Sequence, residues 1–191
     1  MKKVLMLLTA VSFLSCNEDD TTKEPVQMKQ EVVSTVTVTQ RLGTTYVTQP
    51  IYAGQNILAG YLEISNDQTN FEVEYFSTGD WKFSELHLYV GEMELAPLAG
   101  NGNPIPGRFN NKQNYTSATA VTSRSFIIPI SSLNVVDNCI IVAAHSVMKR
   151  FNGSSVVQTE TGWGGNAPFK GSNWATYSNY CLVPGDTGGD K

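Results

Sequence analysis

Phe71-Glu72-Val73-Glu74-Tyr75-Phe76 alternates apolar and acidic side chains with a period of two. Successive side chains of a strand leave opposite faces, so Phe71, Val73 and Tyr75 predict a buried face and Glu72 and Glu74 a solvated one. Thr78-Gly79-Asp80 follows as a turn. Residues 81–90 then repeat the alternation, with Leu86, Leu88 and Val90 on one side and Glu85, His87 and Tyr89 on the other.

The reading extends in both directions. Towards the N-terminus, residues 56–65 predict a strand with Ile57, Ala59, Tyr61 and Glu63 on one face and Leu58, Gly60, Leu62 and Ile64 on the other. Residues 46–48 predict a short strand closed by Pro50, and Val32, Val36 and Val38 among Ser and Thr predict another. Towards the C-terminus, Gly100, Gly102, Pro104, Pro106 and Gly107 predict an irregular section over residues 95–117. Such a long loop is either functional or mobile. Residues 125–130 resume strand character, and Pro129 marks an edge. Residues 138–148 form the most apolar run, with no polar face, which predicts a central strand covered on both sides. Residues 155–161 and 174–183 complete the set.

Short strands joined by Gly, Asn and Pro turns, with little helix, predict an all-β fold. We expect an antiparallel β-sandwich of jelly-roll or Ig-like type, with a barrel as the competing architecture. It occupies residues 31–185 as one domain, followed by a frayed tail over 186–191.

Three cysteines bound the compartment. Lys2 and Lys3 precede a short apolar stretch over residues 4–14, then Ser15 and Cys16. A basic tip and an apolar core of this length predict a signal peptide over residues 1–15 rather than a retained span, which needs about 20 apolar residues. Ser15-Cys16 resembles the end of a bacterial lipobox, although Phe13 stands where Leu is usual and Leu14 where a small residue is usual. That resemblance implies an acyl anchor on Cys16. The alternative is cleavage after Ala10 or Ser12 and a secreted chain. Asn17-Glu18-Asp19-Asp20 resembles the export signal of Bacteroidota-type surface lipoproteins, which implies an outer-membrane protein facing the cell exterior. The alternative is a charged spacer facing the periplasm. Residues 16–30 read as a polar, acidic tether.

An oxidising envelope permits a disulfide between Cys139 and Cys181, the alternative being two buried thiols. Loss of Lys2 and Lys3 from 13 basic residues leaves 11 against 17 acidic, a net charge of −6. With Lys149-Arg150 as the one adjacent basic pair of the mature chain, nothing favours nucleic acid as a partner.

Chemistry has few places to sit. The chain has two histidines, His87 and His145, both within predicted strands. If those strands pair, the imidazoles meet, and Glu160 completes a possible ligand set for zinc or another transition ion. The commoner alternative is a hydrogen-bonded structural histidine on each strand, with no cofactor. Trp163, Trp174 and Tyr177 stand among Gly162, Gly164, Gly165 and Gly171, as aromatics that stack on sugar rings would. Equally, they bury their large area in the core. No GxSxG or phosphate-loop motif occurs. Both non-lipid cysteines sit in apolar strands that disfavour a thiolate.

Residues 85–91, 141–145, 160–164 and 173–177 resemble segments of uncharacterised secreted or lipidated β-domains of the same bacterial group. That likeness implies a shared fold and a shared role for the two histidines and Glu160, without an activity. The expectation is therefore a non-catalytic recognition or accessory module on a membrane anchor. Its binding face would be built from the 95–117 loop and the Gly/Trp-rich segment, and would take a polysaccharide or a protein. The first alternative is a structural envelope protein with a protein partner. The second is a metal-dependent or carboxylate-based hydrolase, for which Glu63, Glu72, Glu74, Glu85 and Glu160 are the available acids.

Overall fold

The computed structural model describes residues 37–41, 44–133, 135 and 137–184, with side-chain environments from residue 46 onward. The expected signal peptide over 1–15, Cys16, the expected tether over 16–30, the predicted strand before Thr37 and the expected tail over 186–191 lie outside the described residues.

The chain is built of antiparallel strands. They are β1 (Thr37–Arg41), β2 (Thr44–Ala53), β3 (Ile57–Asn66), β4 (Asn70–Ser77), β5 (Trp81–Gly91), β6 (Asn111–Asn114), β7 (Ser123–Pro129), β8 (Cys139–Asn152), β9 (Ser155–Gly164), β10 (Ala167–Pro168) and β11 (Thr176–Cys181). Among the described residues the only helical pieces are single 3-10 turns of three residues. The all-β expectation holds.

The main path of the sheet runs β10-β11-β8-β9-β2-β3-β4-β7, with β1 added to β2, and β5 and then β6 added to β8. Just before β7, Val121 bridges back to Phe83 of β5, and the Ser77 amide donates to the Thr122 carbonyl at 2.8 Å. One sheet thus curls until it nearly closes, an arrangement between the sandwich and the barrel. Its interior holds Leu62, Ile64, Phe71, Val73, Phe83 and Leu88, all fully buried.

Strand β8 is the organising element. It pairs with β5 along one edge, and with β11 and then β9 along the other. Its even-numbered residues Ile140, Val142, Ala144 and Met148 enter the main core. Its odd-numbered Ile141 and Ala143 enter a second cluster on the outer face. Both faces are therefore covered over Ile140 to Ala144, the outer one by loops, while His145 and Val147 further along the outer face are only half-buried.

Three expectations need correction. Pro50 does not close a strand, because β2 runs through it to Ala53. The Pro50 carbonyl accepts from the Gly165 amide at 3.4 Å, so its hydrogen-free nitrogen faces the same edge. That is where the partner of β2 changes from β1 to β9, and no ladder bond is lost. In β3 the pairing skips Ala59, since Ile51 faces Gly60 while Tyr52 faces Leu58. This bulge shifts the alternation, so Ala59 joins Leu62 and Ile64 inside instead of sharing a face with Tyr61 and Glu63. The section over residues 95–117 also contains an edge strand, β6, paired with Glu85 to Leu88 of β5.

Gly164 has a packing reason. A Cβ there would collide with the Leu62 side chain and press on Ile51 at 3.3 Å. Its absence lets β9 lie flat over the core.

Candidate functional site

Strand register assembles the site. His87 of β5 faces His145 of β8, and His145 faces Trp163 of β9. Lys112 of β6 extends the row beyond His87, and Tyr52 of β2 extends it beyond Trp163. Residues directly opposite in a ladder share a face, so this row crosses five strands on the outside of the sheet.

The two imidazoles meet. Their Nδ1 atoms are 3.0 Å apart, with the rings near-parallel at 17° and the centroids 5.2 Å apart. One ring donates its Nδ1–H and the other accepts, so the two neutral rings hold different tautomers. Trp163 packs edge-on against His145 with centroids 4.9 Å apart. Burial, reinforced by the charge of His87, pushes the His145 pKa down to about 4. Burial also lowers that of His87, with Glu85 opposing the shift and Lys112 adding to it. The Lys112 ammonium donates to the Gly107 carbonyl at 2.9 Å.

Glu160 does not join them. It faces Met148, and odd and even residues of β9 leave opposite sides of the sheet. Its Oε1 instead accepts from the Gln158 amide at 3.0 Å. Among the described residues no group of three or more His, Cys, Asp or Glu side chains is gathered as a metal would require.

The aromatic trio divides. Trp163 is 4% exposed and is the hub of the outer cluster, with Phe109 and Phe169 packed around it at centroid distances of 6.4 and 6.3 Å. It is a core residue and offers no stacking platform. Trp174 and Tyr177 are half-buried and pack against the same cluster, Tyr177 lying 4.9 Å from Phe169.

Over this cluster the two irregular segments come together. The Asn103 Oδ1 accepts from the Asn173 amide at 3.1 Å, and its Nδ2 donates to the Ser172 hydroxyl at 3.4 Å. Asn103 occupies the space where Gly171 lacks a side chain. The Phe169 amide donates to Ala175, and the Phe109 amide donates to Pro106, each carbonyl within 3.1 Å. Beside this covering lies a groove of about 370 Å³, lined in part by Tyr89, Leu95, Asn110, Asn111 and Ser132.

Cys139 and Cys181 face each other in register and are joined, with sulfurs 2.01 Å apart. The sequence did not single out Asn103, Phe109 or Phe169. Apolar rings following Pro106-Gly107-Arg108 and Pro168 were the available signal, because loops seldom spend a Phe on solvent. The hub asparagine carried none.

The chain matches no family model, no curated protein and no solved structure.

Proposed function

We propose that this protein is a lipoprotein anchored by an acyl group on Cys16, displayed on the exterior of the outer membrane, and that its β-domain is a non-catalytic module that recognises a glycan. The observation that carries the reading is the convergence of the 95–117 loop and the Gly/Trp-rich segment into one hydrogen-bonded surface around Asn103. That surface is fixed before any ligand arrives, which lowers the ordering cost of binding. Trp174 and Tyr177, both half-buried, pack at the edge of the cluster beneath it. The neighbouring groove mixes asparagine and hydroxyl groups with the side chain of Leu95, which is 58% exposed, a composition suited to the polar rim and apolar face of a sugar. Anchoring many copies on one membrane lets weak individual contacts sum along a polymer.

The test is retardation of the full chain in gels containing soluble polysaccharides, alongside mass spectrometry of the N-terminus. Retardation by at least one polysaccharide, reduced at least fivefold by Trp174→Ala, is the expected result. No retardation by any polymer, or retardation indifferent to Trp174→Ala, would remove the glycan. An unacylated N-terminus would remove the anchor.

One observation favours a protein partner as a second reading. Among the described residues β9 pairs with β2 only over Gly162 to Gly164, leaving one edge of its first half without a strand. Val157 there is 58% exposed. An extended segment of another protein could add to that edge.

A further inference from the structure

Tyr61 of β3 and Phe76 of β4 face each other in register, and Pro50 of β2 faces Tyr61 from the other side. We propose that Tyr61 and Phe76 form a second carbohydrate subsite, a stacking platform for one pyranose ring of the polymer. It rests on the glycan reading, and it gives the polymer a contact on β3 and β4, apart from the loop surface around Asn103.

The fold does not need these two rings. Phe71, Val73 and Tyr75 alternate into the core, so Phe76 leaves β4 on the side of Glu72 and Glu74. On β3, Leu62 and Ile64 are fully buried, and Tyr61 and Glu63 take the other face. Among the described residues, neither ring belongs to the main core or to the loop-covered cluster on β8. Both are half-buried. A single apolar residue on a surface needs no explanation, but two rings side by side over a concavity have the composition of a binding surface.

The concavity is present. Tyr61 and Phe76, with Thr48 and Glu63, line a depression of about 320 Å³. That volume lies at the lower end of the range for small-ligand sites and suits a single ring.

The lining matches a sugar on both of its surfaces. A pyranose presents C–H bonds on its face and hydroxyls around its rim. An aromatic ring offers flat apolar area to the face. The Glu63 carboxylate accepts hydrogen bonds from rim hydroxyls, and the Thr48 hydroxyl both donates and accepts. Thr48 and Glu63 face each other in the next row of the ladder, so the polar pair runs along one side of the aromatic pair. The paired strands hold both rows in place before a ligand arrives, which keeps the ordering cost low. Two subsites on one chain also let a single polymer engage both at once.

The experiment is retardation of the full chain in gels containing soluble starch, xylan or galactomannan. It compares the parent with Phe76→Ala, Phe76→Leu, Phe76→Tyr and Trp174→Ala, and circular dichroism checks each fold. For a polymer that retards the parent, Phe76→Ala should weaken binding about fivefold, while Phe76→Tyr, which keeps the ring, should stay within about twofold of the parent. Phe76→Leu should lose nearly as much as Phe76→Ala, because a branched alkyl group has no flat face. Retardation that depends on Trp174 but is unchanged in folded Phe76→Ala would overturn this subsite and leave the glycan reading standing. Equal binding by Phe76→Leu and the parent would overturn the stacking platform. Retardation by none of the polymers, or retardation unchanged by either alanine, would overturn both readings. If Phe76→Ala fails to fold, the comparison of Phe76→Leu with Phe76→Tyr decides.

Discussion

His145 is held between His87 on one side and Trp163 on the other, and the cost of charging it there is large. The unfolded chain takes up a proton on this ring near pH 6.5, while the folded chain resists until about pH 4. The unfolded state therefore binds more protons throughout that window, and stability falls as pH falls across it. His145 alone accounts for about 3 kcal/mol between the two limits. Urea unfolding at pH 7 and pH 4.5 measures this. The midpoint should drop on acidification, and the drop should be clearly smaller in His145→Asn, whose side chain does not titrate. Equal drops in the two proteins would contradict the account. That the imidazoles could meet was legible from alternation, conditional on β5 pairing with β8. The place of Glu160 was not legible, because linear proximity to Trp163 hides the fact that 160 and 163 have opposite parity in a strand.

At the scale of elements, the disulfide ties the first residue of β8 to the last of β11, two strands that share only four register pairs. It closes a loop of 42 residues in sequence separation, and by restricting the unfolded chain contributes about 4 kcal/mol. Replacing both cysteines with alanine should lower the unfolding free energy by about that amount, measured by guanidinium denaturation. Reductant should then leave the double variant unaffected while destabilising the parent. A double variant as stable as the parent would show that β11 is held by packing alone. The elements most visible in the sequence were those with clean alternation or a doubly apolar run, namely β4, β5 and β8. The bulge at Ala59 was invisible, because one extra residue leaves composition unchanged while reversing the faces beyond it. Pro50 misled for a related reason, since its tolerance depends on a change of partner along β2 that only the assembled sheet creates. Strand β6 was hidden because Asn111 to Asn114 is polar throughout and gains its strand geometry from the edge of β5.

For the whole molecule, the sheet supplies one core and the loops supply a second, on the outer face of β8. The all-β class followed from the sequence, and so did two-sided burial over Ile140 to Ala144, though not over the rest of the apolar run, where His145 and Val147 are half-buried. What covers the outer side did not follow, because Phe109 and Phe169 meet Trp163 only through contacts distant in the chain. The account depends on the loops being part of the folded unit, since a recognition surface assembled around Asn103 exists only if both segments stay docked. Native-state hydrogen exchange of the full chain tests this most directly. The amides of Phe109 and Phe169, bonded to Pro106 and Ala175, should be protected at least a hundredfold over the unstructured chain, with Val142 and Ala144 of β8 slower still. Exchange at Phe109 and Phe169 as fast as in an unstructured chain would mean that the covering is undocked in solution, and would contradict the account.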